Sequence, residues 1–593
     1  MVTRVPVLEV RPCIERGRHA ATVVPGEPLP VDAIVLADDA PWNGAEVVLT
    51  DPDGARREPV PLRPHDGDVW SATVRADAEG RWTYHVESWY DPLIAWAGRV
   101  AADLDSGDDP ELLLARISSM LLGLSHVDPV AAHVAADVVD PSTPALERVA
   151  TALAYVESKP TELGRQRDAT DPLPLRVDRE RALSGSWYQV FPASEGALVR
   201  SDGTLEPGTL RTTAKRLESI AAMGFDVVRL PPIHPSADGS PWSIGTSGGG
   251  HLAIDPSLGR VDDVTALVER ARQLGLEVAL ELSWTVSSTH PWLASRPEWF
   301  VPDGHGGWDL DLDARPAGAY VQVLQVVRGW IDRGIRLFVF SDAQRWPVAF
   351  WEQLLHDVAR LDPDVVAVAD ADASPAHAHA LAVAGFHQVT PPLTRARGVQ
   401  DVEDLLRSLV RGSLVRPHLL ASSAHRLPER LVGGGAEHFR AWAALAALAG
   451  PTWGVAAGYE LLESDVVTAG RRQARDVSGP VVRDWDSPTS IAPFLMELNE
   501  VRRAHPALRR RRGLTVHPVH HVGVVAFSRR LDDDEVLVVI DLYPGYPKTV
   551  RVDVRLATAP DGRLCDELDG SWHLTEAVHL DPASPVRVLT SAG

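Results

Sequence analysis

Between about residue 180 and residue 505 the chain repeats one pattern: a short, almost uninterrupted apolar run, a loop, then a segment with apolar residues at helical spacing. The runs are SWYQVFP, FDVVRLPPIHP, LEVALELSW, IRLFVFSD, DVVAVADAD, GFHQVTPP, PHLLASSAH and PTWGVAAGYE. A strand with one solvated face alternates apolar and polar residues. A run without that alternation suits a parallel strand buried on both faces. Helix-like segments such as DDVTALVERARQLG and GAYVQVLQVVRGWIDRG lie between the runs. Eight strands alternating with helices predict a TIM (β/α)8 barrel, whose active site sits at the carboxyl ends of its strands. Those ends carry Ile233 and His234, Trp284 and Thr285, Ser341 and Asp342, Asp370, Thr390, Ser423 to His425, and Trp453.

The chain has 593 residues, too many for a single core. Residues 1–103 alternate in short stretches (VDAIVLADD, AEVVLTDPDGA, VWSATVRADAEGRWTYHVESWYDP), a pattern that predicts an N-terminal β-sandwich. DPDGA and DAEGRW are placed as its hairpin turns. Residues 104–175 turn helical, in DPELLLARISSMLLGLS, DPVAAHVAADVVD and PALERVATALAYVES, and read as a small helical insert. The barrel then takes 176–510, and 511–593 forms a C-terminal antiparallel β-domain, a second sandwich. The fold class expected is thus multidomain α/β around a central TIM barrel.

Hydrophobic residues at 45% and charged residues at 23% are an ordinary globular balance. A net charge of −23 favours solubility and opposes nucleic acid or an anionic membrane as partner. The two cysteines, Cys13 and Cys565, make neither a metal cluster nor a disulfide framework. No His-Glu-x-x-His spacing occurs, so no metal and no cofactor is expected. An apolar run of spanning length is missing and the first residues lack a signal-peptide core, which predicts a cytoplasmic protein.

Several stretches carry a more specific signal: AAMGFDVVRLPPIHP, GSPWSIGTSGGGHLAIDPSLG, GLEVALELSWTVSSTHPWLASRPEWF, LDPDVVAVADADASP, PTWGVAAGYELLE and FLMELNEVRRAHPAL. Together with the order of domains they resemble the α-1,4-glucan:maltose-1-phosphate maltosyltransferases, within the α-amylase superfamily of glycoside hydrolases. The resemblance implies a retaining transfer of maltosyl units to glucan ends. It would use a carboxylate nucleophile, a carboxyl acid and a third carboxylate that stabilises the transition state. A retaining site holds acid and nucleophile about 5–5.5 Å apart.

Carried over position by position, the chemistry fails. Where the family's fourth strand ends Phe-Arg-Val-Asp-Asn, this chain has Phe338, Val339, Phe340, Ser341 and Asp342. The nucleophile position is Ser341, and the orienting arginine is Val339. Side chains alternate faces along a strand, so Asp342 is not a simple replacement one place on. The acid position is Asp370, one methylene shorter than the family's glutamate, and a misplacement of about 1 Å can cost on the order of 100-fold. The third carboxylate position is His425. The family's basic donor loop is cut to SADGSPW, and Thr285 replaces a glutamine.

Ser341 as a serine nucleophile would need a paired base, and no Gly-x-Ser-x-Gly setting surrounds it. A shifted carboxylate pair, Asp342 with Asp370, is better chemistry and defines the alternative of a rearranged transferase or hydrolase. Trp242, His290, Asp342 and Tyr459 are the candidate sugar contacts, with Trp292 and His234 beside them. For each, packing competes with binding. The reading preferred on these substitutions is a degenerate member, a pseudoenzyme that binds α-glucan or malto-oligosaccharide or regulates a partner. The helical insert is the candidate surface for a homodimer or for a heterodimer with an active paralogue.

Overall fold

The structure is a computed structural model, described for residues 4–38, 40–159, 163–313, 318–371, 373–411, 414–464 and 474–591. It divides into two compact units that meet in sequence between Asp178 and Arg179.

The first unit contains two sheets. Strands Val7–Arg11, Leu29–Val35, Val69–Val74 and Arg63–Asp66 form one, in that order across the sheet. Strands Ala21–Val23, Leu173–Val177, Gly80–Tyr90, Asn43–Thr50 and Val60–Pro61 form the other, with Gln166–Ala169 also paired to Gly80–Tyr90. Alternate residues of Leu29–Val35 are buried, as the sequence pattern requires of a sandwich strand. The DPDGA turn closes a hairpin, with Thr50 bridged to Arg56. The DAEGRW turn does not: the strands on either side of it belong to different sheets, so it crosses the sandwich. The helices begin at Pro92 rather than at 104, because Asp91 caps a helix over Pro92–Asp105 by accepting from the N–H groups of Leu93 and Ile94. Three more helices, Pro110–Leu124, Pro129–Asp137 and Ala145–Ser158, share an apolar core with it, built on Trp96, Leu114, Ile117, Leu121 and Tyr155. The sandwich is completed only after them, by Leu173–Val177, which runs parallel to Ala21–Val23.

The second unit holds all eight barrel strands. They are β1 (Gly185–Gln189), β2 (Val227–Leu230), β3 (Glu277–Leu282), β4 (Leu337–Ser341), β5 (Val366–Asp370), β6 (Gln388–Val389), β7 (His418–Leu420) and β8 (Thr452–Ala456). Each is followed by a helix: α1 (Leu210–Ala222), α2 (Val261–Gln273), α3 (Ala319–Ile331), α4 (Val348–Leu361), α5 (Pro375–Val383), α6 (Val399–Arg411), α7 (Ala436–Ala449) and α8 (Ala492–Ala504). The pairing is parallel throughout and runs β6-β5-β4-β3-β2-β1-β8-β7. One parallel bridge, Val389 to Pro417, joins β6 to β7, with the Val389 N–H donating to the Arg416 carbonyl at 3.0 Å. The barrel is therefore nearly closed. After α8 come an antiparallel sheet of six strands, from Leu514–His517 to Val586–Thr590, and a small pair, Lys548–Val550 with Val578–Leu580. A core of Val524, Leu537, Val539, Val550, Leu564 and Leu580 draws on both.

Candidate active-site floor in the barrel

Strand parity decides what lines the barrel. Trp187, Val227, Ala279, Val339 and Val368 pack together in the barrel interior, with Leu337 and Val366 one level below. Gly454 of β8 makes room for Trp187 there, since a Cβ on it would come within 3.2 Å of the Trp187 Cβ. Two residues further along the same strands stand Gln189, Arg229, Glu281, Ser341 and Asp370, on the same face by the period-two rule. An apolar plug is thus topped by a polar layer. The parallel register sets Ser341 beside Asp370 and Gln189 beside Arg229.

One guanidinium ties this layer together. Arg229 Nη2 donates to Glu281 Oε2 at 2.8 Å and to Asp370 Oδ2 at 2.6 Å, and its Nε donates to Glu281 Oε2 at 3.2 Å. The other Glu281 oxygen accepts from Ser341 Oγ at 2.6 Å and from Trp242 Nε1 at 2.7 Å. Sharing one nitrogen keeps the two bonded oxygens close together. Glu281 is nonetheless closed to substrate: it is 1% exposed and four donor contacts occupy its oxygens. Trp242 seals it from above. The short SADGSPW loop folds on itself, with Ser236 Oγ donating to the Ser240 carbonyl and Asp238 accepting the Ser240 N–H. That turn delivers the Trp242 indole to Glu281, with the His425 ring edge-on to it at 4.1 Å.

Electrostatics follow from the same geometry. Burial would raise the Asp370 carboxyl, but the charge and hydrogen bond of Arg229 hold it below the usual carboxylate value. Desolvation in the rim, then the charge of Asp370, pushes the Asp342 carboxyl up. Desolvation lowers His425 against the opposing charges of Glu281 and Asp370, so its imidazole is neutral at pH 7. His418 lies deeper, against Trp187 at 4.7 Å, and burial followed by the Arg229 charge drives it to about 3.

The structure brings Ser341, Asp370, Trp242 and His425 to one place and sets Asp342 at its rim. Asp342 has a left-handed backbone, φ 49°, and begins the short helical turn Ala343–Arg345 instead of continuing β4. Ser341 donates to Glu281 and not to a histidine. His290 and Tyr459 are placed in packing. His290 Nδ1 accepts the Trp292 N–H at 3.1 Å, and its Nε2 faces His251 Nδ1 at 3.2 Å, while His251 Nε2 faces the Ser283 carbonyl at 2.7 Å. The carbonyl can only accept, so His251 Nε2 carries a proton and its Nδ1 accepts one from His290. Two glycines of SIGTSGGG admit the His290 ring: a Cβ at Gly245, where φ is 96°, would lie 2.1 Å from it, and one at Gly250 2.6 Å. Tyr459 is 2% exposed, bonded to the Phe439 carbonyl at 2.7 Å and edge-on to the Phe439 ring. His234, also buried, faces the Ala253 carbonyl, and Thr285 donates to Asp309 at 2.6 Å. Among the described residues no group of three or more His, Cys, Asp or Glu could hold a metal ion.

Arg229 and Glu281 were missed by reading only the last residues of each strand. Their signal was a charge inside an otherwise apolar run, in FDVVRLPP and in LEVALELSW. In a strand buried on both faces such charges must pair, and two of opposite sign on adjacent strands are natural partners.

A nearly closed parallel barrel with its polar layer at the carboxyl ends, with sheet-rich domains before and after it in the sequence, is an α-amylase-type architecture. Solved structures agree: an alpha-amylase from Geobacillus thermoleovorans superposes with a TM-score of 0.57 over 69% of this chain and 99% of that one, at 16% identity. A maltogenic amylase from S. marinus covers 98% of this chain and 82% of its own, with a TM-score of 0.56 and 11% identity. Residues 3–179 match the family model for alpha-1,4-glucan:maltose-1-phosphate maltosyltransferase, domain N/S. Alpha-1,4-glucan:maltose-1-phosphate maltosyltransferase 1 of Streptomyces coelicolor is 37% identical over 100% of this chain and 95% of its own. The Mycobacterium tuberculosis H37Rv enzyme of that name is 31% identical over 98% and 95%. The chain belongs to the α-1,4-glucan:maltose-1-phosphate maltosyltransferase family.

Proposed function

We propose that this protein serves α-glucan metabolism as a non-catalytic member of its family. Its role is to bind an α-glucan or malto-oligosaccharide at the barrel mouth, or to regulate a catalytically complete partner, in the cytoplasm and as a dimer. The observation that carries this reading is the closed floor. Ser341, at the position the family resemblance gives to the nucleophile, spends its hydroxyl on Glu281, and Arg229 neutralises Asp370, at the position of the acid. A general acid needs a proton at working pH, and a carboxyl held below its usual value has none to give. His425 stands at the third carboxylate position as a neutral ring against Trp242. The half-buried Trp242 offers a ring face for a pyranose.

A second reading rests on one specific observation. Asp342 is raised while Asp370 is lowered, and a pair of carboxyls pushed apart in this way suits acid and nucleophile roles. It predicts a rearranged transferase or hydrolase using those two residues. Calorimetric titration of the whole chain with maltohexaose tests the binding role. Saturable binding that weakens about tenfold or more in Trp242→Ala supports it; no heat with maltohexaose or with soluble glycogen removes the glucan-binding arm.

A further inference from the structure

At the opposite pole of the barrel, beneath the amino ends of the strands, lies a cavity of about 360 Å³. Arg179, Arg181, Arg502, Arg503 and Arg509 line it, against three carboxylates, Glu180, Asp226 and Glu277. Two positive charges remain in excess, in a chain whose net charge is −23.

The carboxylates are already engaged. Glu277 accepts from Arg179 Nη1 at 2.8 Å and from Arg181 Nε at 3.0 Å. Asp226 takes the Ser186 N–H at 2.8 Å and lies 3.2 Å from Arg181. Glu180 accepts from Arg510 at 2.6 Å and from Arg509 at 3.3 Å. The cationic side is not similarly exhausted. Nε and Nη2 of Arg179 have no hydrogen-bond partner among the described residues; they are closed to a water-sized probe, so the side chain has to turn toward the cavity to meet a ligand. Arg503 is exposed and gives one bond, at 3.2 Å, to the Gly224 carbonyl. Buried donors without acceptors are costly, and a guanidinium fork matches the oxygens of a phosphate.

We infer that this cavity binds a small soluble phosphate monoester, with the phosphate on the Arg179 and Arg503 guanidinium groups. Its volume leaves space beyond the phosphate for a body the size of one sugar ring, at the lower end of small-ligand sites. The site is separate from the polar layer at the carboxyl ends and does not depend on what that layer does.

The test is titration of the full chain, at low ionic strength, with inorganic phosphate and then with glucose 6-phosphate. We expect one saturable site, tighter for the sugar phosphate. Arg179→Gln should weaken it about tenfold or more and Arg503→Gln several-fold, while Trp242→Phe at the other pole leaves it unchanged. Arg503 is on the surface, so its variant carries the test if Arg179→Gln does not fold. Absence of saturable binding to wild type at millimolar concentrations overturns the inference. So does binding that follows Trp242→Phe, or that ignores both arginine substitutions.

Discussion

Around the barrel axis Arg229 faces Glu281 and Asp370. Behind β1 and β8 a second buried group sets Arg216 and Arg483 against Glu195, Glu460, Glu463 and Asp476. Both hold more carboxylates than cations, yet they settle the excess differently. On the axis, neutral donors supply the difference: Ser341 and Trp242 complete the shell of Glu281. In the second group Tyr188 does this for Glu460 at 2.5 Å, and Arg483 forks onto both Glu463 and Asp476. Glu195 is left over. It is buried, with Arg216 Nε at 3.8 Å and no hydrogen bond to either oxygen among the described residues, and burial pushes its carboxyl up to about 8. On the axis Arg229 keeps Asp370 charged, whereas in the second group Glu195, left without donors, keeps a proton. The count of donors per carboxylate, rather than the count of charges, decides which happens.

The largest expected effect is on the axis. Arg229→Met removes the cation common to Glu281 and Asp370 and should cost about 3–5 kcal/mol in urea unfolding. Arg216→Met should cost clearly less, because Glu195 is already protonated and Tyr188 still serves Glu460. Equal costs would break the comparison. Next, Ser341→Asp replaces a donor with a like charge beside Glu281, and should lower stability by about 2 kcal/mol without creating maltosyl transfer. Ser341→Ala, which only removes the donor, should cost about 1 kcal/mol.

A pH dependence sharpens the contrast from the other side. The folded-state carboxyl of Glu195, at about 8, lies above its ordinary value of 4.5, so between these values the native state holds a proton the unfolded chain has released. Its contribution to stability therefore declines as pH rises from 4.5 to 8 and levels off above. Glu195→Gln should flatten this slope in melts at about pH 5.5 and 8.5. The lowered Asp370 acts oppositely, giving stability that is lost only as pH falls below the usual carboxylate range.

Much of the barrel was legible because each strand is buried on both faces and writes that burial as an unbroken apolar run. Parity sets Val339 and Ser341 facing in, but it stops at Asp342, whose left-handed backbone ends the alternation and leaves its carboxyl within reach of the Asp370 charge. Hairpin reading failed at DAEGRW, since a turn sequence records a reversal of the chain and not which sheet receives it. The helices' start at Pro92 was available in the Asp-Pro pair that caps them. At the site, the charges within runs announced pairing but not partners. That Arg229 would span to both β3 and β5 depends on the barrel's curvature, and that Trp242 would close over Glu281 depends on a loop only seven residues long. No periodicity in a single chain encodes either.

The central claim is that this closed floor no longer transfers maltosyl units. Its most direct test is phosphate release from maltose 1-phosphate with maltohexaose as acceptor, using the purified chain at high concentration beside an active family member. The account predicts no release above that of a Ser341→Ala, Asp342→Ala, Asp370→Ala variant. Release from the wild type clearly above that variant would contradict it and assign the chemistry to the Asp342 and Asp370 pair.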